Sequence, residues 1–271
     1  MPELPEVETV KNGLIKKVKG RKILNCKVSW DSIIAYPGKN KFIEEIANQT
    51  INDITRRGKF LMFVLDDYYL ISHLRMEGKY FIKEASEPLS KHDHVIFTLD
   101  NQKELRYNDT RKFGKMYLVK HDELNISPLA KLGKEPWDEE LTVDYLKAKL
   151  NRKLPIKTLL LDQSIITGIG NIYADEILFA TNINPKTIGC DLTKKELSSI
   201  IENTKKILAR AIELGGTTIH TYTAVDGITG RFQQELLVHG KKDLPCPNCQ
   251  TKIVKITVNT RGTYYCPCCQ K

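Results

Sequence analysis

Apolar positions recur along the chain with two different periods. Val7, Val10, Leu14 and Val18 repeat at helical spacing and predict a helix over residues near 6 to 18. From Ile23 to about Val119 the pattern changes to short alternating runs, among them Phe60 to Leu65, Tyr69-Leu70-Ile71 and Val95 to Leu99. Asp66-Asp67 and Asp100-Asn101 close two of these runs and mark turns between antiparallel strands. The first half therefore reads as a β-sandwich or barrel with a helix at its start.

Residues 128–144 carry Gly133, Pro136 and five acidic side chains, the composition of an exposed linker. Beyond them the helical period returns. Thr193-Lys194-Lys195-Glu196 fits a capping box. Leu197, Ile200, Ile201, Leu208, Ala211 and Ile212 then share one face, and Gly215-Gly216 ends the helix. A polar loop with Gly227 and Gly230 precedes a cysteine-rich tail. The expected order is a strand-rich domain (1–127), a linker (128–144), a helical domain (145–240) and the tail (241–271).

Composition adds limits. The 271 residues suit two domains and bury a core without disulfides. The longest clearly apolar stretch, Phe60–Leu65, is far short of the roughly 20 residues that a spanning helix needs. Glu3, Glu6 and Glu8 replace any basic-then-apolar signal, so a cytosolic protein is expected. The net charge of +9 points to a polyanionic partner, although many basic proteins only have solvated surfaces.

The tail holds the most specific local pattern. Five of seven cysteines fall between Cys246 and Cys269, in two Cys-x-x-Cys pairs: Cys246/Cys249 and Cys266/Cys269. Four thiolates close a tetrahedral zinc shell with no open position, which is a structural Zn2+ site. Cys268 competes with Cys269 for the fourth place, and Cys269 is preferred because it keeps the two-residue spacing. Ile253 to Val258 alternates like a strand, and Asn259 to Thr263 reads as a hairpin turn with Arg261 at its tip.

The amino terminus offers chemistry. The small residue Pro2 favours removal of Met1, which exposes a secondary amine. An α-amino group titrates near 7.7–8.0, so a neutral, nucleophilic fraction exists at physiological pH. Such an amine attacking a sugar C1′ gives an iminium ion, an electron sink, and the adjacent Glu3 can exchange protons. The competing reading is that Pro2 and Pro5 simply start a helix.

Pro2-Glu3-Leu4-Pro5-Glu6-Val7-Glu8-Thr9 closely resembles the opening of the bacterial formamidopyrimidine-DNA glycosylase family. Further motifs match in order. They are Arg56-Arg57-Gly58-Lys59, Ser72 to Gly78, Lys91-His92-Asp93-His94, Asp109 to Gly114, Gly168-Ile169-Gly170-Asn171-Ile172-Tyr173 and the zinc ribbon. The resemblance implies an α+β fold: an antiparallel β-sandwich with an N-terminal helix, then a helical domain with a helix–two-turns–helix and a zinc-ribbon hairpin. It implies a bifunctional glycosylase and abasic-site lyase that excises oxidised purines from duplex DNA, acting as a monomer in the bacterial cytosol. Pro2 would be the nucleophile and Glu3 the proton donor, with Lys59 near the lesion and Arg261 on the flanking phosphates. Met76, Arg111 and Phe113 would fill the void left by the flipped nucleotide. His92, Arg152 and Asn171 would make further DNA contacts, and the loop around 220–234 would close over the base.

Two other readings compete. A zinc-ribbon DNA-binding module without catalysis accounts for the tail and the charge but not for Pro2-Glu3. An enzyme resembling endonuclease VIII would prefer oxidised pyrimidines. Leu4, where that class tends to have glycine, and Arg111-Lys112-Phe113 favour the purine enzyme.

Overall fold

The computed structural model describes residues 1–217 and 230–271. These fall into two compact units, Met1–Ala130 with Gly215–Gly230, and Lys131–Leu214 with Arg231–Lys271. In chain order the first unit runs α1 (Leu4–Val18), β1 (Ile23–Val28), β2 (Ile34–Tyr36), α2 (Lys39–Ile46), β3 (Asp53–Arg57), β4 (Phe60–Val64), β5 (Tyr68–His73), β6 (Lys79–Glu84), β7 (Asp93–Leu99), β8 (Lys103–Asn108) and β9 (Lys115–Lys120). One sheet has the order β1-β7-β8-β6 and the other β2-β9-β5-β4-β3, which settles sandwich against barrel.

The α1 face expected from the period is the face that is buried: Val7, Val10, Leu14 and Val18 are at most 1% exposed. They join Phe42, Phe63, Phe97 and Leu118 in one core. Two features depart from the expected all-antiparallel sandwich. α2 interrupts the strands, burying Phe42 and Ile46 at helical spacing in an element too short for its period to stand out. β2 pairs with β9 in parallel, as a three-residue edge strand joined to β9 through the rest of the sandwich.

The second unit holds α3 (Val143–Leu150), α4 (Ile156–Leu160), α5 (Asn171–Ala180), α6 (Lys194–Glu213) and the hairpin β10 (Val254–Val258) with β11 (Arg261–Tyr265). α6 keeps both expected termini. Thr193 caps it in a box with Glu196, and Gly215 follows with φ +76°. Residues 128–144 are exposed at Glu139, Glu140 and Asp144, yet they do not run free as a linker. Gly133 N–H donates to Gln163 O, Lys134 N–H to Ile165 O, and Thr167 N–H to Lys134 O. A Cβ on Gly133 would stand 2.3 Å from the Ile165 carbonyl oxygen. The acidic side chains advertise surface, while the backbone beneath them is paired.

The cap predicts a graded result. Thr193→Ala loses a side-chain acceptor for the Glu196 N–H and should cost about 1 kcal/mol in denaturant unfolding, whereas Thr193→Gly should cost only a few tenths.

Candidate active site and nucleic-acid interface

Glu3 is the N-cap of α1, and the Glu6 carboxylate accepts from the Glu3 N–H at 2.8 Å in a capping box. Pro5 occupies the first turn. The helix-start reading therefore explains Pro5 but not Pro2, which lies before the cap, is buried and takes no part in the helix. Glu3 is 2% exposed. The other oxygen of Glu6 accepts from both the N–H (2.7 Å) and the hydroxyl (3.1 Å) of Thr217. Glu6 thereby fixes the peptide that follows Pro2 and the segment at Gly216, whose φ is +76°. Of the loop expected over 220–234, residues 220–229 lie outside the described residues.

Lys59 follows Gly58 (φ +56°) in the two-residue turn between β3 and β4 and is 6% exposed. Its neighbour Phe60 pairs with His73 of β5, the two rings meeting edge-on at 4.5 Å. His73 Nδ1 accepts from the Arg75 N–H at 2.9 Å, so the ring hydrogen sits on Nε2. Burial, then the charges of Arg75 and Lys59, push His73 down to about 3. It is a neutral donor beside a buried cation, a role that the motif Ser72 to Gly78 did not disclose.

Met76 and Phe113 occupy neighbouring exposed loops, at 38% and 49% exposure, which excludes core packing. One carboxylate shapes the Phe113 loop. Asp109, fully buried, accepts from the N–H groups of Arg111 (2.9 Å), Phe113 (2.9 Å) and Gly114 (2.8 Å). The Arg111 guanidinium then lies over the Phe113 ring at 4.8 Å. Tyr107 is wedged between the two loops. A Cβ on Gly78 would sit 2.2 Å from its hydroxyl and one on Gly114 1.7 Å, so both motif glycines are required by close approach. Thr110 donates to Glu77 and ties the loops together. His92 is half-buried near His94, whose Nε2 donates to Asp109 O at 2.9 Å.

In the second unit, Gly168 (φ +100°) and the N-cap Gly170 lead into Asn171, the first residue of α5. Asn171 Nδ2 donates to Gly262 O at 3.0 Å. The zinc hairpin differs from expectation in detail. Its turn is the two residues Asn259 (φ +42°) and Thr260 (φ +67°), so Arg261 opens β11 opposite Val258 instead of standing at the tip. It is exposed there and shares with Arg152 and Asp162 the lining of a depression of about 290 Å³. Arg152 pairs with Asp162 at 3.0 Å.

Beneath the hairpin lies a buried network that the sequence did not signal. Lys157 Nζ, fully buried, contacts Asp175 Oδ1 (2.7 Å), Gly262 O (3.0 Å) and Thr263 Oγ1 (2.8 Å). Asp175 Oδ2 accepts from His239 Nδ1 (2.7 Å) and the Tyr264 N–H (3.2 Å). The three residues after Arg261 are therefore fastened to α4 and α5.

The Sγ atoms of Cys246, Cys249, Cys266 and Cys269 lie within 4.8 Å of one another, with pairs at 3.8 and 3.4 Å. Zn–S bonds of about 2.3 Å make a tetrahedron with edges of about 3.8 Å, so the four thiolates fit one structural Zn2+. Cys268 is exposed and outside this group.

Three family models match in order: the formamidopyrimidine-DNA glycosylase N-terminal domain over residues 1–116, its H2TH domain over 132–223, and a zinc finger found in FPG and IleRS over 243–271. The formamidopyrimidine-DNA glycosylase of Bacillus subtilis (strain 168) is 48% identical over 100% of this chain and 99% of its own length. A relative from Oceanobacillus iheyensis is 46% identical over 100% and 98%. A solved complex of a Lactococcus lactis FPG mutant with DNA containing Fapy-dG superposes with TM-score 0.94 at 40% identity, covering both chains fully. The Lactococcus lactis Fpg complex with DNA containing an abasic site gives 0.93 at 39%, over 99% of each chain.

Two outcomes follow from this chemistry. Lys157→Met leaves Asp175 without its buried cation and should cost about 3–5 kcal/mol in guanidinium unfolding at fixed zinc, against no more than about 1 kcal/mol for Arg152→Gln in the exposed pair. His73 in the unfolded chain takes a proton below its ordinary 6.5, but in the folded chain only near 3. The unfolded state binds the extra proton across that window, so stability falls as pH drops from about 6.5 towards 3. Unfolding series on His73→Gln should show a shallower acid limb than the unaltered protein.

Proposed function

This chain belongs to the formamidopyrimidine-DNA glycosylase family, and we propose that it is a DNA glycosylase with abasic-site lyase activity that excises oxidised purines from duplex DNA in base excision repair. The observation that carries the reading is the position of Pro2, buried, outside the helix and adjacent to a catalytic-type carboxylate in Glu3. Relatives and solved complexes over the full length support the same substrate class.

Removal of Met1 frees the Pro2 nitrogen. That amine attacks C1′ of the flipped damaged nucleotide, the N-glycosidic bond breaks, and the base leaves with the proton that the amine gives up. Glu3 protonates the ring oxygen as the sugar opens to the iminium. The iminium acidifies the C2′ hydrogens, so loss of a C2′ proton expels the 3′ phosphate, and loss of the C4′ proton then expels the 5′ phosphate. Water then releases the enzyme. Lys59 balances phosphate charge at the lesion, and His73 supplies a neutral N–H beside it. Met76 and Phe113 fill the vacated stack while Arg111 donates to the orphaned base. His92, Arg152, Asn171 and Arg261 hold backbone phosphates, the last through a fork suited to bidentate contact. Zinc, held by Cys246, Cys249, Cys266 and Cys269, keeps the hairpin folded and takes no part in bond breaking. No described helix is long and apolar enough to cross a membrane.

Oxidised pyrimidines remain a second reading on one observation: a solved complex of Lactococcus lactis FPG with DNA containing an oxidised pyrimidine superposes with TM-score 0.92. Leu4 and the Arg111-Lys112-Phe113 segment favour purines.

Borohydride should trap the processed protein on an 8-oxoguanine:cytosine duplex, and protein retaining Met1 should give no adduct. Glu3→Gln should lower single-turnover excision by at least about 10²-fold, the usual worth of a positioned acid–base group. Faster turnover of a thymine-glycol duplex would reverse the substrate assignment.

A further inference from the structure

One exposed aromatic beside the Phe113 loop has no role in the proposed reaction. Trp30, at the start of the turn Asp31–Ile33, is 38% exposed. Lys112 lies between Arg111 and Phe113 in a left-handed conformation, φ +57°, which a lysine rarely adopts. Its ammonium lies 4.0 Å over the Trp30 ring, while the neighbouring Arg111 lies over Phe113. Two further links hold the segments in register: Lys115 donates to Ser32 O, and β2 pairs with β9 from Ile34 to Met116. The nearby carboxylate Asp31 is matched by Lys39 at 2.9 Å, so it does not cancel the Lys112 charge.

We propose that Trp30 and Lys112 form a contact for the phosphodiester backbone of duplex DNA, flanking the void-filling loop. The Lys112 ammonium takes a phosphate oxygen, and the indole face holds the lysine and packs against the adjoining deoxyribose. Three arguments support this occupant. The surface pairs an ammonium, the group that tracks a phosphate backbone, with an exposed aromatic face that holds that ammonium by cation–π attraction. It is continuous with Phe113, one residue further along the same loop. Asp109 holds that loop through three backbone N–H groups, so the contact is preorganised. The inference rests on the chain acting on duplex DNA and extends the footprint of that activity.

The chain has two tryptophans, Trp30 and Trp137, so Trp137→Phe leaves Trp30 as the sole reporter. The probe is a duplex carrying a tetrahydrofuran abasic analogue opposite cytosine, with binding followed separately by anisotropy. On saturation, Trp30 emission should drop and shift. Lys112→Gln should reduce the slope of log affinity against log salt by about one. Trp30→Ala should weaken binding of abasic and undamaged duplexes by the same factor, because a backbone contact carries no base information. Binding that saturates with silent Trp30 emission, an unchanged salt slope in Lys112→Gln, or a Trp30→Ala loss confined to the abasic duplex would each overturn the contact. Absence of any binding would overturn it together with the proposed function.

Discussion

The irregular segments of this protein depend on buried carboxylates that accept backbone N–H groups. Loops that must present side chains outward cannot satisfy their own amides with a ladder, and an unpaired buried amide costs as much as a lost hydrogen bond. Glu6 accepts from Glu3 and Thr217; Asp109 from Arg111, Phe113 and Gly114; Glu176 from Leu237, Val238 and His239; Asp175 from Tyr264. Hydrogen bonds to a charged acceptor contribute about 1.5–3 kcal/mol each, more than neutral ones. Each anchor fixes backbone whose neighbouring side chains then need little further ordering.

Asp109 makes the point most directly. Phe113 and Arg111 project from a short loop with a left-handed residue between them, a conformation that would otherwise exchange with others. Three amides converging on one carboxylate remove that freedom. Tyr107 closes the back of the loop, which leaves no room for a side chain at Gly114. The rigidity suits the wedge role proposed for Phe113, because a side chain ordered beforehand loses less freedom on binding.

Legibility in the sequence follows the range of the interaction. α1, α6 and the long strands are local objects, and their periods and caps read directly from Val7 to Val18, from Thr193 to Gly215 and from Phe60 to Leu65. The four thiolates are also legible, because metal spacing is a local rule. α2 is hidden because eight residues give barely two turns of period. The packing of Gly133 against the 163–165 segment is hidden because it joins positions thirty residues apart. Composition alone reports the acidic surface above it. The position of Arg261 misleads for a subtler reason: Asn259-Thr260 takes a two-residue turn in spite of a β-branched residue at φ +67°, so the strand resumes earlier than turn propensity suggests. The loop motifs disclosed which residues are exposed at Met76 and Phe113 but not what holds them.

Net charge has the same limit. A count of +9 treats all cations alike, yet Lys157 is fully buried and Arg106 is 2% exposed. Lys157 is matched by Asp175, and Arg106 by Glu104 with carbonyls of Pro88 and Glu87 around it. These internal cations add nothing to the field that a polyanion meets. Their effect is on placement. Lys157 and Asn171 both donate to the carbonyl of Gly262, the residue after Arg261. An exposed guanidinium on the first residue of a two-stranded hairpin's second strand would otherwise sweep a wide arc. Fastened one residue away to α4 and α5, it stands on a fixed stretch of backbone, so the buried lysine limits how far the exposed arginine can range.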